Sequence, residues 1–191
     1  MSEVSIYETL RNAGLTAEGA CGLMGNMMAE SSMKSNIVQR GMQSKSDEDY
    51  TAAFNADPEK YIYDQVGYGL CQWTHWSRKK KLVGFAINWG VSVGAEDMQT
   101  AFAVWELRND FPNVWKVLCS TKNLQEASDI VCIQYERPAV NNFDTRYRFT
   151  VEFDKKFKEV QTEQPQYVPM ATLEDIANQL EELAKIIREL K

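Results

Sequence analysis

One glutamate stands out in this sequence because of the residues before it. Glu30 follows Met27, Met28 and Ala29, and burial against such apolar side chains disfavours a carboxylate and raises its pKa. A carboxyl that keeps its proton near neutral pH is the proton donor that glycoside cleavage requires. The same segment is also compatible with a solvated helix end, which is the commoner case, so the choice depends on the rest of the chain.

A second segment, YGLCQWT, has residue types suited to holding a sugar polymer. The glycines near Gln72 and Trp73 allow a polymer to approach the backbone closely. Gln72 can hydrogen-bond sugar hydroxyls or acetamides, while Tyr68 and Trp73 offer flat faces for stacking. The alternative for this segment is a turn with a core tryptophan.

A third segment, QYERP, ends a predicted helix just before a proline. Such an end usually forms a surface ion pair of little energetic weight. The functional alternative places Tyr135 or Glu136 at the rim of a substrate cleft.

Composition and charge exclude several classes of protein. The chain has 191 residues, 44% of them hydrophobic, with a net charge of −6. Its apolar runs fall short of the roughly 20 residues that span a bilayer, so we expect no membrane insertion. The acidic balance argues against nucleic-acid binding, and the run RKKK (78–81) is interpreted as a solvated helix face. The N-terminus lacks the features of a Sec signal, so synthesis in a host bacterial cytoplasm is expected.

The cysteines and the single histidine limit the other chemistries. Cys21, Cys71, Cys119 and Cys132 form no CxxC spacing, which predicts reduced, buried thiols. With His75 as its only histidine, the chain lacks the several His ligands of common zinc hydrolases, and we expect no metal. A pair of Cys71 and His75 in a cell-wall peptidase stays open as an alternative.

The elements that must position these residues are mostly helices. A short helix is predicted over Ser5–Arg11, and Thr16 is placed to cap a second helix that runs from Ala17 to Glu30–Ser32. Gly22 and Gly25 within it predict close approach by a neighbouring element.

The remainder of the predicted domain combines a long insert with further helices. Residues 34–66 are polar and irregular, with a strand expected over Tyr61–Val66. The further helices are expected at 74–89, 96–109, 124–136 and 143–160. The fold class is therefore mostly α, with a small loop or hairpin insert.

The last thirty residues have a different pattern. Residues 161–172 contain two prolines and no helical period, which predicts a linker between a domain at 1–160 and a helix at 173–191. Apolar residues in that helix alternate spacings of three and four, as in a coiled-coil seam that favours self-association. They are Leu173, Ile176, Leu180, Leu183, Ile187 and Leu190.

Three segments in order resemble one known family. The sequence GLTAEGACGLMGNMMAESSM, followed by YGLCQWT and then YERP, is similar to the phage-type peptidoglycan-degrading lysozymes of phage tails and endolysins. These belong to the lysozyme and lytic-transglycosylase superfamily, in which a helix ends in Glu-Ser and a G-L-x-Q turn follows. Glu30-Ser31 and Gly69–Gln72 match both motifs, and the resemblance covers roughly residues 5–155.

The resemblance implies a lysozyme-like α+β fold and a mechanism without a metal or organic cofactor. Glu30 would be the general acid that protonates the oxygen between N-acetylmuramic acid and N-acetylglucosamine, and Gln72 and Tyr68 would help to seat the glycan. The second carboxylate is open. The candidates are Asp47, Asp49, Asp57, Asp64 and Glu136.

The resulting hypothesis is a phage lysozyme or endolysin that cleaves bacterial peptidoglycan after phage-mediated release or within a tail. Hydrolysis and the transglycosylase reaction, which closes a 1,6-anhydro ring, both remain open. The alternatives are the cysteine peptidase and a glycan-binding module without catalysis.

Overall fold

The computed structural model describes residues 3–41 and 45–163, and their regular structure is almost entirely helical. The elements in chain order are α1 (Glu3–Asn12), α2 (Ala17–Ser31), α3 (Asp47–Ala56), α4 (Pro58–Ile62), α5 (Trp76–Trp89), α6 (Glu96–Asp110), α7 (Pro112–Leu118), α8 (Leu124–Ile130), a π-helical segment (Val131–Glu136) and α9 (Phe143–Glu163).

Helix α2 lies at the centre of the fold and ends at the candidate acid. The side chain of Thr16 caps its first turn by accepting a hydrogen bond from the backbone N–H of Gly19, as the sequence predicted. Close approach at the two later glycines is also confirmed. A Cβ on Gly22 would lie 2.5 Å from that of Ala127 in α8, and one on Gly25 would lie 2.7 Å from the backbone nitrogen of Thr150 in α9.

Helix α9 packs along the same core through one face. Its buried residues Arg146, Thr150, Phe153 and Phe157 recur at spacings of three and four. The ring of Phe157 stacks on Tyr7 of α1 with centroids 3.9 Å apart. The last helix of the domain is thereby fixed to the first, and Arg146 is placed beside the end of α2.

The insert differs from its prediction. The strand expected over Tyr61–Val66 is wrong, because residues 58–62 form α4, which starts with proline at its first position. Residues 47–56 form helix α3. Ser46 caps this helix, and its first turn consists of three acidic residues. In the described residues, the only β pairing of this region consists of isolated bridges from Tyr68 to Val38 and Trp73. The mostly α class is confirmed, whereas the hairpin is replaced by two helices.

Residues 161–163 of the predicted linker form the end of α9, and the rest of the linker and the heptad helix lie outside the described residues. The chain divides into two units between Phe157 and Lys158. Within the part that the structure describes, no helix is both long enough and apolar enough to cross a membrane.

Candidate active site

A cleft of 1120 Å³ opens beside the C-terminal end of α2. Its walls come from five parts of the chain. They are residues 29–32, the loop 37–40, the segment from 65 to 81, the end of α6 and residues 135–139. The three segments singled out in the sequence therefore meet at one surface, and Glu30, Gln72 and Glu136 all line it.

Glu30 is held at the cleft by an arginine from the far end of the chain. Nη2 of Arg146 lies 2.5 Å from Oε1 of Glu30, whose side chain is 17% exposed. The guanidinium is itself fixed, since it donates to Oδ1 of Asn26 at 2.9 Å and to the carbonyl of Asn141 at 2.8 Å. Asn26 lies one helical turn before Glu30, so α2 carries both the carboxylate and the group that orients its partner. Glu30 therefore forms an ion pair, whereas the sequence analysis placed only apolar side chains beside it.

Glu136 lies in the same cleft and is short of partners. It is half-buried, and its Oε1 is shielded from solvent without a hydrogen-bond partner in the described structure. Burial, followed by the negative charge of Glu30, raises the pKa of Glu136 from 4.5 to about 8. Nearby Arg78 and Arg146 oppose this rise only in part. At neutral pH this carboxyl therefore keeps its proton, chiefly because it is buried and secondly because the Glu30 charge is close.

The π-helical segment explains how Glu136 reaches the cleft. Val131–Glu136 continues α8 with a wider turn, and the chain then reverses at Arg137, which is left-handed with φ 52°. Wide turns of this kind are rare and often occur at functional sites. Here the segment directs Tyr135 into the core and Glu136 into the cleft.

A buried carboxylate, Glu106 of α6, ties the walls of the cleft together. It is fully buried, and Arg78 donates to it at 2.8 and 2.7 Å. The indole N–H of Trp73 donates to it at 3.0 Å, and the hydroxyl of Tyr135 at 2.8 Å. Trp73 and Arg78 belong to the segment from 65 to 81 and Tyr135 to the segment 135–139, so this one carboxylate of α6 fixes the relative positions of three walls.

The four predicted substrate-binding residues have different surroundings. Gln72 lines the cleft, and its amide nitrogen donates to the carbonyls of Gly69 at 3.0 Å and Ile37 at 3.3 Å. Tyr135 is buried behind the cleft wall. Tyr68 and Trp73 are fully buried, so their rings face the core and offer no surface for a sugar.

The aspartate candidates lie away from the cleft. Asp64 pairs with the buried ammonium of Lys79 at 2.6 Å and accepts a hydrogen bond from the hydroxyl of Tyr50 at 2.5 Å. Asp47 accepts from the backbone N–H of Val38, Asp49 is exposed on α3, and Asp57 ends that helix. Of the five candidates, only Glu136 lines the same cleft as Glu30.

The structure does not bring Cys71 and His75 together as a catalytic pair. Cys71 is buried beside Tyr135 and Glu136, and its burial raises the thiol pKa well above the ordinary value. His75 is exposed, caps α5 and interacts through Nδ1 with the hydroxyl of Ser77 at 2.8 Å. A reactive thiol needs the opposite, a lowered pKa and access to solvent.

The interpretation of RKKK as a solvated face is wrong for its first two residues. Arg78 is engaged with Glu106, and Lys79 is fully buried, with its pKa lowered by burial. Lys81 pairs with Asp110 at 2.5 Å on the cleft rim, and only Lys80 is free to project outward. Among residues 3–41 and 45–163, no cluster of three His, Cys, Asp or Glu side chains could hold a metal ion.

Arg78, Glu106 and Arg146 are the site residues that sequence reasoning missed. Glu106 carried a usable signal, because it continues the buried face of α6 formed by Gln99, Phe102 and Ala103. A lone carboxylate on an apolar face requires a buried partner. Arg146 carried a similar signal, since it continues the buried apolar face of α9, whereas Arg78 lies in the first turn of α5, where a charged residue is ordinary.

The chain is similar to one protein family and to a curated phage protein. The family model of the phage tail lysozymes matches residues 2–161. A relative, morphogenesis protein 1 of Bacillus phage B103, is 30% identical over 147 residues, which cover 72% of this chain and 34% of the relative. The chain thus spans about a third of the length of that curated relative.

Proposed function

The chain belongs to the phage tail lysozyme family, and we propose that it cleaves the β-1,4 bonds between N-acetylmuramic acid and N-acetylglucosamine in bacterial peptidoglycan. Glu30 is the proposed general acid and Glu136 the second carboxyl. The observation that carries the proposal is that these two residues line one cleft and that the charge of Glu30 acts on Glu136. Two carboxyls so placed hold one proton between them near neutral pH, as glycoside cleavage requires.

The surroundings of the cleft support a polymeric substrate. The cleft is larger than most small-molecule pockets, which run to about 1,000 Å³. Gln72 adds an amide group for sugar hydroxyls or acetamides, and Arg40, Arg78 and Arg137 add basic groups to the walls. Peptidoglycan offers both kinds of partner, since its glycan carries acetamides and its muramic acid lactyl groups and stem peptides carry carboxyl groups.

A second assignment of the two roles has an observation in its favour. In the resting protein the proton lies on Glu136, while Glu30 pairs with Arg146. With the roles reversed, Glu136 donates the proton to the leaving sugar, and Glu30 acts as the base or nucleophile.

A leaving-group experiment separates the two assignments. We expect Glu30→Gln and Glu136→Gln each to lose most of their activity on purified sacculi while retaining the fold. A substrate with a good leaving group, such as an aryl glycoside of a chitooligosaccharide, needs no protonation and restores activity only to the variant that lacks the acid. Recovery by Glu30→Gln supports the first assignment, and recovery by Glu136→Gln supports the second. Wild-type turnover of sacculi by Glu30→Gln would contradict both.

Mass spectrometry of the released fragments identifies the reaction. Hydrolysis gives reducing sugar ends, transglycosylation gives 1,6-anhydro ends, and a peptidase gives new amino termini. A second carboxyl in the cleft supports hydrolysis, because it can activate water or form a covalent intermediate. We further propose that the enzyme acts on the wall from a phage tail or after phage-mediated release.

A further inference from the structure

A pair of exposed aromatic rings lies at one edge of the cleft. Tyr63 and Trp76 are 53% and 47% exposed, and their rings stack with centroids 6.0 Å apart and planes 26° from parallel. His75 lies against Trp76 at 5.6 Å, which extends the surface to three rings. By contrast, the aromatic residues of the neighbouring insert, Tyr50, Phe54 and Tyr61, are buried. An exposed aromatic group of this size marks a binding surface more often than chance exposure does.

Both rings are close in the chain to residues that line the cleft. Trp76 lies between His75 and Ser77, which both line the cleft, and Tyr63 precedes the cleft residue Gln65 by two positions. The two rings come from the end of α4 and the start of α5, elements held together by the buried pair of Asp64 and Lys79. The aromatic surface is therefore fixed relative to the carboxyls, not carried on a separate part of the chain.

We propose that Tyr63 and Trp76 form an additional subsite that binds the glycan strand where it leaves the cleft. This inference rests on the proposed function, since a polymer cleaved at Glu30 must continue beyond the cleft in both directions. Pyranose rings present flat C–H faces that stack on tyrosine and tryptophan, whose polar edges tolerate water. The ligand is thus the sugar backbone, and the rings need no particular stem peptide.

The sequence supplies a matched control for the test. Trp76 and Trp89 are the first and last residues of α5, they are 47% and 46% exposed, and about 20 Å of helix separates them. Neither ring lines the cleft itself, but Trp76 lies between two cleft residues and Trp89 does not. Loss of a half-exposed ring has a similar effect on solubility and stability at either end, so a difference between the two alanine variants reports the location of the subsite.

The kinetic experiment uses the full chain and long peptide-free glycan strands. We expect Trp76→Ala and Tyr63→Ala to raise KM about 3- to 10-fold with little change in kcat. Trp89→Ala should match the wild type, and Trp76→Phe, which keeps a ring, should retain most of the affinity. On oligosaccharides that only span the cleft, all four variants should behave alike. Equal KM values for Trp76→Ala and Trp89→Ala on long strands would overturn the inference.

A binding measurement separates failure of this inference from failure of the proposed function. Tryptophan fluorescence titrated with peptide-free strands requires no turnover, and we expect Trp76→Ala to bind several-fold more weakly than Trp89→Ala. If the wild type releases no sugar fragments but shows this difference, the proposed function fails and the subsite stands. If the wild type cleaves and the difference is missing, the subsite fails alone. Binding of isolated stem peptides in place of glycan strands would also overturn it.

Discussion

Glu136 gives the sharpest physical prediction, because its proton couples stability to pH. Its pKa rises from 4.5 to about 8 on folding, so the folded protein binds a proton that the unfolded chain releases. The stability that this group contributes is complete below pH 4.5 and is lost as the pH rises to 8. At about 1.4 kcal/mol per pH unit, the loss over this window is at most about 5 kcal/mol.

The perturbation that tests this reasoning is Glu136→Gln, which keeps the shape of the side chain and removes its titration. Urea unfolding followed by tryptophan fluorescence, at pH values below and above the window, gives the free energy of unfolding for both proteins. Groups that do not interact with Glu136 titrate equally in the two, so the difference between them reports the titration of Glu136 together with its coupling to neighbours such as Glu30. We expect the wild type to lose several kcal/mol relative to the variant as the pH rises.

The variant Glu30→Gln serves as a second control. The charge of Glu30 is the second cause of the raised pKa, after burial, so its removal should shrink the pH-dependent difference without abolishing it. Parallel stability curves for wild type and Glu136→Gln across the window would refute the reasoning, because they would mean that Glu136 titrates alike in both states.

Three further predictions follow from the packing around the cleft. Arg146→Lys keeps the charge but cannot hold Asn26, Asn141 and Glu30 together. We therefore expect the free energy of unfolding in urea to fall by about 3 kcal/mol and kcat on sacculi to decrease. An unchanged kcat would contradict the positioning role of Arg146. Gly25→Ala forces α9 away from α2 and should cost about 1–3 kcal/mol or more, whereas Gly84→Ala on α5 meets open space and should stabilise by up to about 1 kcal/mol. Equal effects of the two alanines would contradict the close contact. Iodoacetamide should leave Cys71 of the native protein unmodified and its activity intact, as peptide mapping would check.

The helices that face the core could be read from the sequence, since apolar spacing and caps are local signals. Thr16 caps α2 as predicted, and the two later glycines of this helix, Gly22 and Gly25, allow α8 and α9 to pack closely against it. The helices of the insert were missed although their starts carry local signals. Ser46 precedes an acidic turn, and Pro58 begins α4, but aromatic residues over 61–66 favoured a strand. The strand propensity of these residues was overridden there, because Tyr61 and Ile62 are buried in the core as part of helix α4.

The site was predictable only where its residues lie in short motifs. Glu30, Gln72 and Glu136 belong to such motifs, and all three line the cleft. The arginine that meets Glu30 lies 116 positions away, and the two residues of the Arg78–Glu106 pair are 28 apart, so no local pattern connects them. Burial of Tyr68 and Trp73 was likewise beyond local reasoning. Their aromatic faces suit a sugar or a core equally, and only the packing of α6 against the turn decides between these.

Two ion pairs at the cleft and a third in the neighbouring insert stand where apolar contacts would serve stability better. Arg146–Glu30, Arg78–Glu106 and Lys79–Asp64 each join segments distant in sequence, and each has a cation or carboxylate that is nearly or fully buried. Buried pairs of this kind often contribute less to stability than well-packed hydrophobic residues of the same volume. Their geometry is more directional, however, because a guanidinium fork fixes both distance and angle.

A site that must hold two carboxyls at a set separation needs this directional control. Glu106 shows that the fold can bury a carboxylate with four hydrogen bonds. The missing partner at Oε1 of Glu136 is therefore a property of that position and not a limit of the fold. A fourth pair at Glu136 would stabilise its charge and remove the one proton that the two carboxyls hold between them, which the proposed cleavage requires. The unpartnered oxygen is therefore the expected cost of keeping one carboxyl protonated beside another.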